Sequence, residues 1–349
     1  MPAHNEERLI AKTIGAVPGF VDRIIVINDG SADRTLEIVR ECQQRDPRVV
    51  IVNHGVNQGL GQSIVSGYLK SIELGLDITV TMDGDGQMSP DDLPNVIDPI
   101  ARGVADYCKG NRLLHRDVTN TMPAYRLFGN AGLTFLTKFA TGYWQLMDPQ
   151  CAYAAISRRA LAAIPIDKMT RRYGYNADIL NMLNVHNFRV AMVEVKPVYG
   201  DAISGIKLRS YIPRVSYLLM RLFGRRLIHK YLVRNFNPLC LSYITGMALW
   251  LFGALPFAIR VLYVYLIAGM EFPQTSFLCF ILLALAGLQI LLSAVQYDME
   301  DNRDLFIIID NERQVELRRG AATIETIAAP ALKPRAPARG ESLVEPVER

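Results

Sequence analysis

Cysteine is scarce and lacks any pairing pattern: Cys42, Cys108, Cys151, Cys240 and Cys279 are scattered over 349 residues, odd in number and never spaced as CxxC. That excludes a disulfide scaffold and a thiolate zinc site, and it points to reduced thiols in a cytosolic compartment. A large charge of one sign is missing too. The 38 basic residues are nearly matched by 34 acidic ones, and a net charge of +4 is too mild to imply a nucleic-acid partner. The histidines at 4, 54, 115, 186 and 229 show no metal-ligand spacing. Gly55, Gly59 and Gly61 fit neither GxGxxG nor the P-loop. No secretory leader opens the chain, and no internal repeat runs through it. With 50% apolar and 21% charged residues, global disorder is excluded.

What is present divides the chain. Short apolar runs at 24–27, 49–52, 78–82, 105–109 and 190–195 read as buried strands, and 35–44 and 59–74 read as helices between them. Strands alternating with helices predict an α/β domain with a mainly parallel sheet. Asn5 is expected to cap an early helix, with Glu6 and Glu7 in its first turn. Further on, residues 241–259 and 272–297 are runs of 19 and 26 residues without a charge, each long enough to span a bilayer. Ahead of them Arg214, Arg221, Arg225, Arg226, Lys230 and Arg234 interleave with apolar residues, as in an amphipathic helix lying on anionic lipid. The positive-inside rule places this stretch and the N-terminal domain in the cytoplasm, with the chain multi-pass in the inner membrane. The expected organisation is an α/β domain over 1–210, a basic interfacial helix over 211–235, two transmembrane helices over 236–298, and a cytoplasmic tail over 299–349, disordered toward its end. Gly246, Gly253 and Gly287 permit close helix packing, including that of a homo-oligomer.

Two acidic clusters follow directly on strands: Asn28-Asp29-Gly30-Ser31 and Asp83-Gly84-Asp85-Gly86-Gln87. In open α/β sheets ligands bind beyond the carboxyl ends of the strands, so both clusters should face one crevice. Asp29 can accept hydrogen bonds from a base or ribose. Two carboxylates two residues apart suit Mg²⁺ or Mn²⁺ held jointly with a diphosphate. Taken singly, the first cluster is also an ordinary turn and the second resembles part of a calcium loop. The calcium reading fails because position 12 counted from Asp83 is Pro94.

Together with Pro2-Ala3-His4-Asn5-Glu6-Glu7 and Asn57-Gln58-Gly59, these clusters resemble the family 2 glycosyltransferases with the nucleotide-sugar-binding GT-A fold, a Rossmann-like mixed sheet. The nearest branch resembles the polyprenyl-phosphate glycosyltransferases, similar to dolichol-phosphate mannose synthase, and the likeness covers about residues 1–210. It implies that Pro2, Ala3, Asn5 and Glu7 line the nucleotide pocket, that Asp29 binds the nucleoside, and that Asp83 and Asp85 are the DxD pair, with Asp85 and Gln87 nearest the metal. Asp83 then serves both donor and metal. Arg112, in a segment similar to the family's GSR, would meet a phosphate. Arg126 and Asn130 would hold the acceptor phosphate. Asp148 stands at the family's Asp-Pro position, and Lys207, in Ser204-Gly205-Ile206-Lys207, would neutralise the donor diphosphate. Three departures stand out. Asn28 replaces a second Asp, Ile206 replaces a Ser, and the apolar strand that precedes the Pro-Ala-x-Asn-Glu motif in the family is not in the sequence. A lost central strand would leave buried backbone unpaired, so the expectation is a start site assigned too far downstream.

The resemblance implies inverting transfer of a sugar from a UDP- or GDP-sugar to polyprenyl phosphate, with a divalent metal and with Asp148, Arg112, Arg126 and Lys207 as catalytic residues. Two alternatives stay open at this stage. One is the same donor chemistry with a glycolipid or polysaccharide hydroxyl as acceptor; the other is a nucleotide-sugar-binding membrane protein without turnover.

Overall fold

Residues 24–27 are four consecutive aliphatics, a run that suits a strand covered on both faces. In the computed structural model, which describes residues 1–113, 124–196, 208–234 and 236–309 and leaves the side chains of 124–131 and 208–212 aside, they open a fully buried strand. The elements run β1 (Pro2–Ala3), α1 (Ile10–Gly15), β2 (Ile24–Asp29), α2 (Thr35–Arg45), β3 (Val49–His54), α3 (Leu60–Glu73), β4 (Ile78–Thr81), α4 (Leu93–Ala101), β5 (Tyr107–Asn111), α5 (Ala124–Thr141), β6 (Ala154–Ser157), α6 (Arg158–Ala163), α7 (Tyr175–Val185) and β7 (Val190–Glu194). After these come α8 (Leu208–Ile228), α9 (Pro238–Ala248), α10 (Leu255–Leu262), α11 (Gln274–Asp301) and β8 (Phe306–Ile308).

The sheet is mixed and comes in two pieces. β1, β2 and β3 are parallel, with β2 and β3 in register from Ile24 opposite Val49 to Asp29 opposite His54. The other piece has the order β4-β6-β5-β7-β8, in which β6 runs antiparallel to both neighbours and β7 pairs parallel with β5 and β8. Its two faces follow the two-residue period of strands. Tyr107, Ile156 and Val190 pack under α3 and α7, while Cys108, Ala155 and Ala191 pack under α4. Between β2 and β4 the sheet is open. β1 pairs with β2 at Pro2 and Ala3, with Met1 adding its amino group to the Ile25 carbonyl (2.8 Å) and accepting the Ile27 N–H (2.9 Å), and on the other side the Pro2 carbonyl accepts the Gly84 N–H (3.1 Å). Beyond those rungs lies a groove of about 340 Å³ lined by Ile25, Ile27, Tyr68, Val80, Met82 and Leu93.

Asn5 does not cap a helix. It takes a left-handed conformation (φ 58°), which asparagine tolerates, and α1 starts five residues later at Ile10 without a side-chain cap. Its Oδ1 instead accepts the Ala32 N–H at 2.9 Å, tying β1 to the turn after β2.

Among the described residues two helices are long and apolar enough to cross a membrane, Pro238–Ile267 and Gln274–Asp301. The first takes in α9 and α10 and is capped by Asn237, which accepts the Leu239 N–H (3.1 Å) with Pro238 in the first helical position. They pack where Gly246 and Gly287 meet: a Cβ on Gly287 would lie 2.8 Å from Trp250 and 3.3 Å from the Gly246 carbonyl. The close packing that these glycines permit is thus realised between the two apolar helices of this hairpin.

The basic stretch differs more sharply from expectation. α8 and the π-helical turn His229–Arg234 that extends it pack against the N-terminal α/β part of the chain, α8 on α5 and α7 and the turn on α7. Arg225 pairs with Asp178, the fully buried Arg226 with Asp298, and Lys230 with Asn302 at 2.6 Å and Asp301 at 3.4 Å. Arg234 donates to the Val185 carbonyl. Only Arg214 and Arg221 of the six remain exposed without a partner among the described residues. Buried cations need paired anions, and α7 and the end of α11 supply them. Nor does the chain beyond residue 298 leave as a tail: α11 continues to Asp301, and Phe306–Ile308 returns as the edge strand β8. Residues 310–349 lie outside the description.

Candidate functional site

β2 delivers Asp29 to the carboxyl edge of its sheet, and the chain must turn there at once. Gly30 makes the turn with φ 62°, and a Cβ at that position would lie 2.5 Å from the Asn57 nitrogen. We expect Gly30→Ala to cost roughly 2–4 kcal/mol, backbone strain and overlap together, read as a lowered denaturant midpoint. The close approach places loop 57–59 over the Asp29 carboxylate. Gln58 N–H donates to one oxygen and Gly59 N–H to the other, each at 2.9 Å, and His54 Nδ1 lies 2.8 Å from the first. Burial pushes the Asp29 pKa up, but these donors outweigh it and the net shift is down. Asp29 is therefore an ionised carboxylate that shapes the wall of the site.

β4 delivers the second cluster. Gly84 lies against β1, where a Cβ would come 3.0 Å from the Pro2 carbonyl, so the two clusters share one cavity of about 660 Å³. Pro2, Ala3, Asp29, Asp83 and Asp85 line it. Asp83 Oδ1 is shut off from solvent and has no hydrogen-bond partner among the described residues. Burial, and next the Asp85 charge, raise the Asp83 pKa to about 7. Burial and the Asp85 charge likewise raise that of Glu6. Asp85 Oδ1 accepts the Gln87 N–H at 3.0 Å, while the Gln87 side chain is exposed and outside the cavity lining. Among the described residues no three His, Cys, Asp or Glu are grouped to hold a metal unaided.

Asn5 and Glu7 turn away from the cavity. Glu7 accepts the Arg34 N–H and donates its own N–H to Asp33, so both residues clasp the loop after β2. Their neighbours His4 and Glu6 line the cavity instead, with His4 Nδ1 2.8 Å from the Asp29 carbonyl.

Arg112 and Asp148 meet outside the cavity lining as a forked pair, Nε–Oδ2 2.9 Å and Nη2–Oδ1 3.2 Å. Asp148 also accepts the Cys151 and Arg112 amides. Although burial pushes its pKa up, the Arg112 hydrogen bonds and charge hold the buried carboxyl below its ordinary value. Arg126 and Asn130 fall on α5, where side chains lie outside the description, and Ser204 and Lys207 lie outside it altogether. The far wall comes from Arg172, Tyr173, Arg214 and Val215, none of them given a site role by the sequence. The doubled Arg171-Arg172 was the one local cue.

The sequence profile of glycosyl transferase family 2 matches residues 1–164. A UDP-N-acetylglucosamine–dolichyl-phosphate N-acetylglucosaminyltransferase from Methanococcus voltae is 31% identical over 214 residues, which are 58% of this chain and 85% of that one. The chain belongs to glycosyltransferase family 2. A polyprenol monophosphomannose synthase from Mycolicibacterium smegmatis is 26% identical over 213 residues, 60% of this chain and 79% of its own. Glucosyl-3-phosphoglycerate synthase from Mycobacterium tuberculosis, solved with Mn²⁺, UDP and glucosyl-3-phosphoglycerate, superposes at a TM-score of 0.49 with 18% identity, over 64% of this chain and 77% of its own. In this family 2 glycosyltransferase the profile takes in Asp29, Asp83, Asp85, Arg112 and Asp148. Arg172, Tyr173, Arg214 and both apolar helices lie beyond it.

Proposed function

We propose that this glycosyltransferase moves a sugar from a nucleoside diphosphate, UDP or GDP, to a polyprenyl phosphate, with inversion and with Mg²⁺ or Mn²⁺. It would do so at the cytoplasmic face of the inner membrane, spanned by the two apolar helices. The observation that carries this reading is Asp83: a buried carboxylate oxygen without a donor, beside Asp85, in a cavity bordered by the helix that leads to the apolar hairpin. Leaving such an oxygen unpaired is costly, and a hard cation relieves it. Asp83 and Asp85 would hold the ion, with diphosphate oxygens and water completing its shell, since the described residues offer no third carboxylate, histidine or cysteine grouped with them. Bound there, the ion would offset charge developing on the leaving diphosphate.

The chain's own residues do the rest. Pro2, Ala3 and the Asp29-bound loop 57–59 shape the nucleoside end. By resemblance Lys207 faces the donor diphosphate, and Arg126 and Asn130 face the acceptor phosphate. Asp148 bears on the choice of acceptor. A hydroxyl must lose a proton to a base during attack, whereas a phosphate monoester, with a second pKa of about 6, arrives as an oxyanion. A carboxylate forked onto Arg112 with a depressed pKa is a poor base and a good orienter of that arginine. Asp148→Asn is therefore expected to lower transfer to lipid phosphate about tenfold and leave the shape of the pH–rate profile intact. A general base would cost roughly 10²–10⁴-fold and take one limb of the profile with it.

The deciding experiment is donor turnover by the full chain in detergent micelles, with each of UDP- and GDP-sugars, with and without polyprenyl phosphate, and with Mg²⁺, Mn²⁺ or EDTA. Turnover that needs both lipid phosphate and metal supports the proposal; donor binding without transfer to the lipid overturns it.

A further inference from the structure

The charge of the cavity does not balance on the residues assigned so far. Asp83 and Asp85 together already match one divalent cation, so a diphosphate entering beside them brings negative charge of which Lys207, given that role by resemblance, offsets only one unit. Arg112 is engaged with Asp148, and Asp29 is engaged with His54 and two amides. Arg172 and Arg214 differ. Both line the cavity, both are exposed, and among the described residues neither has an ion-pair or hydrogen-bond partner.

We infer that Arg172 and Arg214 form an anion site for a phosphate-ester oxyanion of the transfer reaction, an inference that rests on the function proposed above. The guanidinium fork fits phosphate oxygens two at a time, so two arginines from separate elements can hold such a group in a fixed orientation.

The backbone under Arg172 is fixed while its side chain is not. Thr170 donates its N–H and hydroxyl to Asp178 Oδ2 at 2.8 and 2.6 Å, and the Arg171 carbonyl accepts the Gln62 N–H at 2.8 Å. Loop 170–172 therefore lies flat on the first turn of α3, where only glycine fits at position 61: a Cβ there would come 2.2 Å from the Thr170 carbonyl. Asp178 in turn is gripped by Arg225, which also donates to Asn181 Oδ1 at 2.9 Å. Arg225 stands on α8, the helix that carries Arg214 next to the buried Val215. One helix thus presents one arginine and pins the loop that presents the other, which sets their separation.

Two groups of this chemistry meet in the reaction, the donor diphosphate and the acceptor monophosphate, and the test separates them. Arg172→Ala, Arg214→Ala and the two lysine replacements would be made in the full chain in detergent. Calorimetry would give the UDP and GDP affinities, and steady-state kinetics the KM for nucleotide sugar and for polyprenyl phosphate. Each alanine variant is expected to weaken one of these by tenfold or more, with kcat changed less and the lysine variant recovering part of the loss. Loss of nucleotide affinity assigns the site to the donor, and a raised KM for the lipid alone assigns it to the acceptor. Thermal midpoints should stay at the wild-type value, since both side chains are exposed and unbonded. Affinities and KM values all within twofold of wild type would overturn the inference. Wild-type protein that binds UDP or GDP but transfers nothing to the lipid would sink the acceptor reading alone, with nucleotide affinity of the variants still deciding the anion site.

Discussion

Asp85→Ala is expected to cut sugar transfer by roughly 10²–10³-fold, the scale seen when one group stabilising transition-state charge is removed. Its thermal midpoint should hold or rise. Asp85 makes one short-range bond, to the Gln87 amide, and its charge otherwise repels Asp83 and Glu6. Lost activity with retained stability, unrescued by excess Mg²⁺ or Mn²⁺, would place Asp85 in the chemistry and not in the fold. The same site gives a pH signature in EDTA. The Asp83 pKa rises from 3.8 to about 7 on folding, through burial first and Asp85 second. The protonated form is the one the fold favours, so this contribution is complete below the unfolded pKa and is lost as pH climbs through about 7. Asp83→Asn escapes that loss. It should gain on wild type between pH 4 and 8, by at most about 4 kcal/mol at roughly 1.4 kcal/mol per unit. Equal denaturant midpoints of the two proteins at pH 5 and pH 8 would contradict it.

The other large effect is expected far from the cavity. Arg226 is fully buried, with both terminal nitrogens 2.7 Å from Asp298 and one of them also 2.9 Å from the Phe139 carbonyl. Asp298→Ala would leave that guanidinium charged and unmatched, at a cost of about 3–5 kcal/mol. The double variant Arg226→Met with Asp298→Leu removes both charges and should recover most of the loss. Thermal midpoints in detergent for the two singles and the double complete the cycle. If Asp298→Ala melts with wild type, the pair does not hold α8 to α11.

Much of the catalytic half was legible because its signals are local. An unbroken aliphatic run names β2, and the glycines after it name the turn. The run 190–195 reads as a strand for the same reason, and β7 occupies Val190–Glu194. What was not legible is what depends on distant partners. Arg226 and Lys230 look like one basic face of an amphipathic helix, and only Asp298, Asp301 and Asn302, some 70 residues on, turn that face inward. The three-residue β8 is too short to stand out after a long helix, and its place is set by the open edge of β7. In the site, residue type showed which carboxylates matter but not which way the turn after β1 faces. The cavity consequently holds His4 and Glu6 where Asn5 and Glu7 were expected. Arg172 reaches the cavity through the packing of its loop on Gly61, a contact between segments more than 100 residues apart.

The return of the chain after α11 ties the two halves of the molecule together. β8 is hydrogen-bonded to β7, so the apolar hairpin is bracketed by α8 on one side and a sheet strand on the other. Protease nicking of the link between the two apolar helices, at residues 268–273, would give fragments that stay together through the β7–β8 ladder and the Arg226–Asp298 pair. Removal of everything after residue 235, the obvious way to free a water-soluble enzyme, would instead strip an edge strand from the sheet and expose Arg226. A soluble form would have to keep residues 298–309 and bridge the hairpin with a short linker.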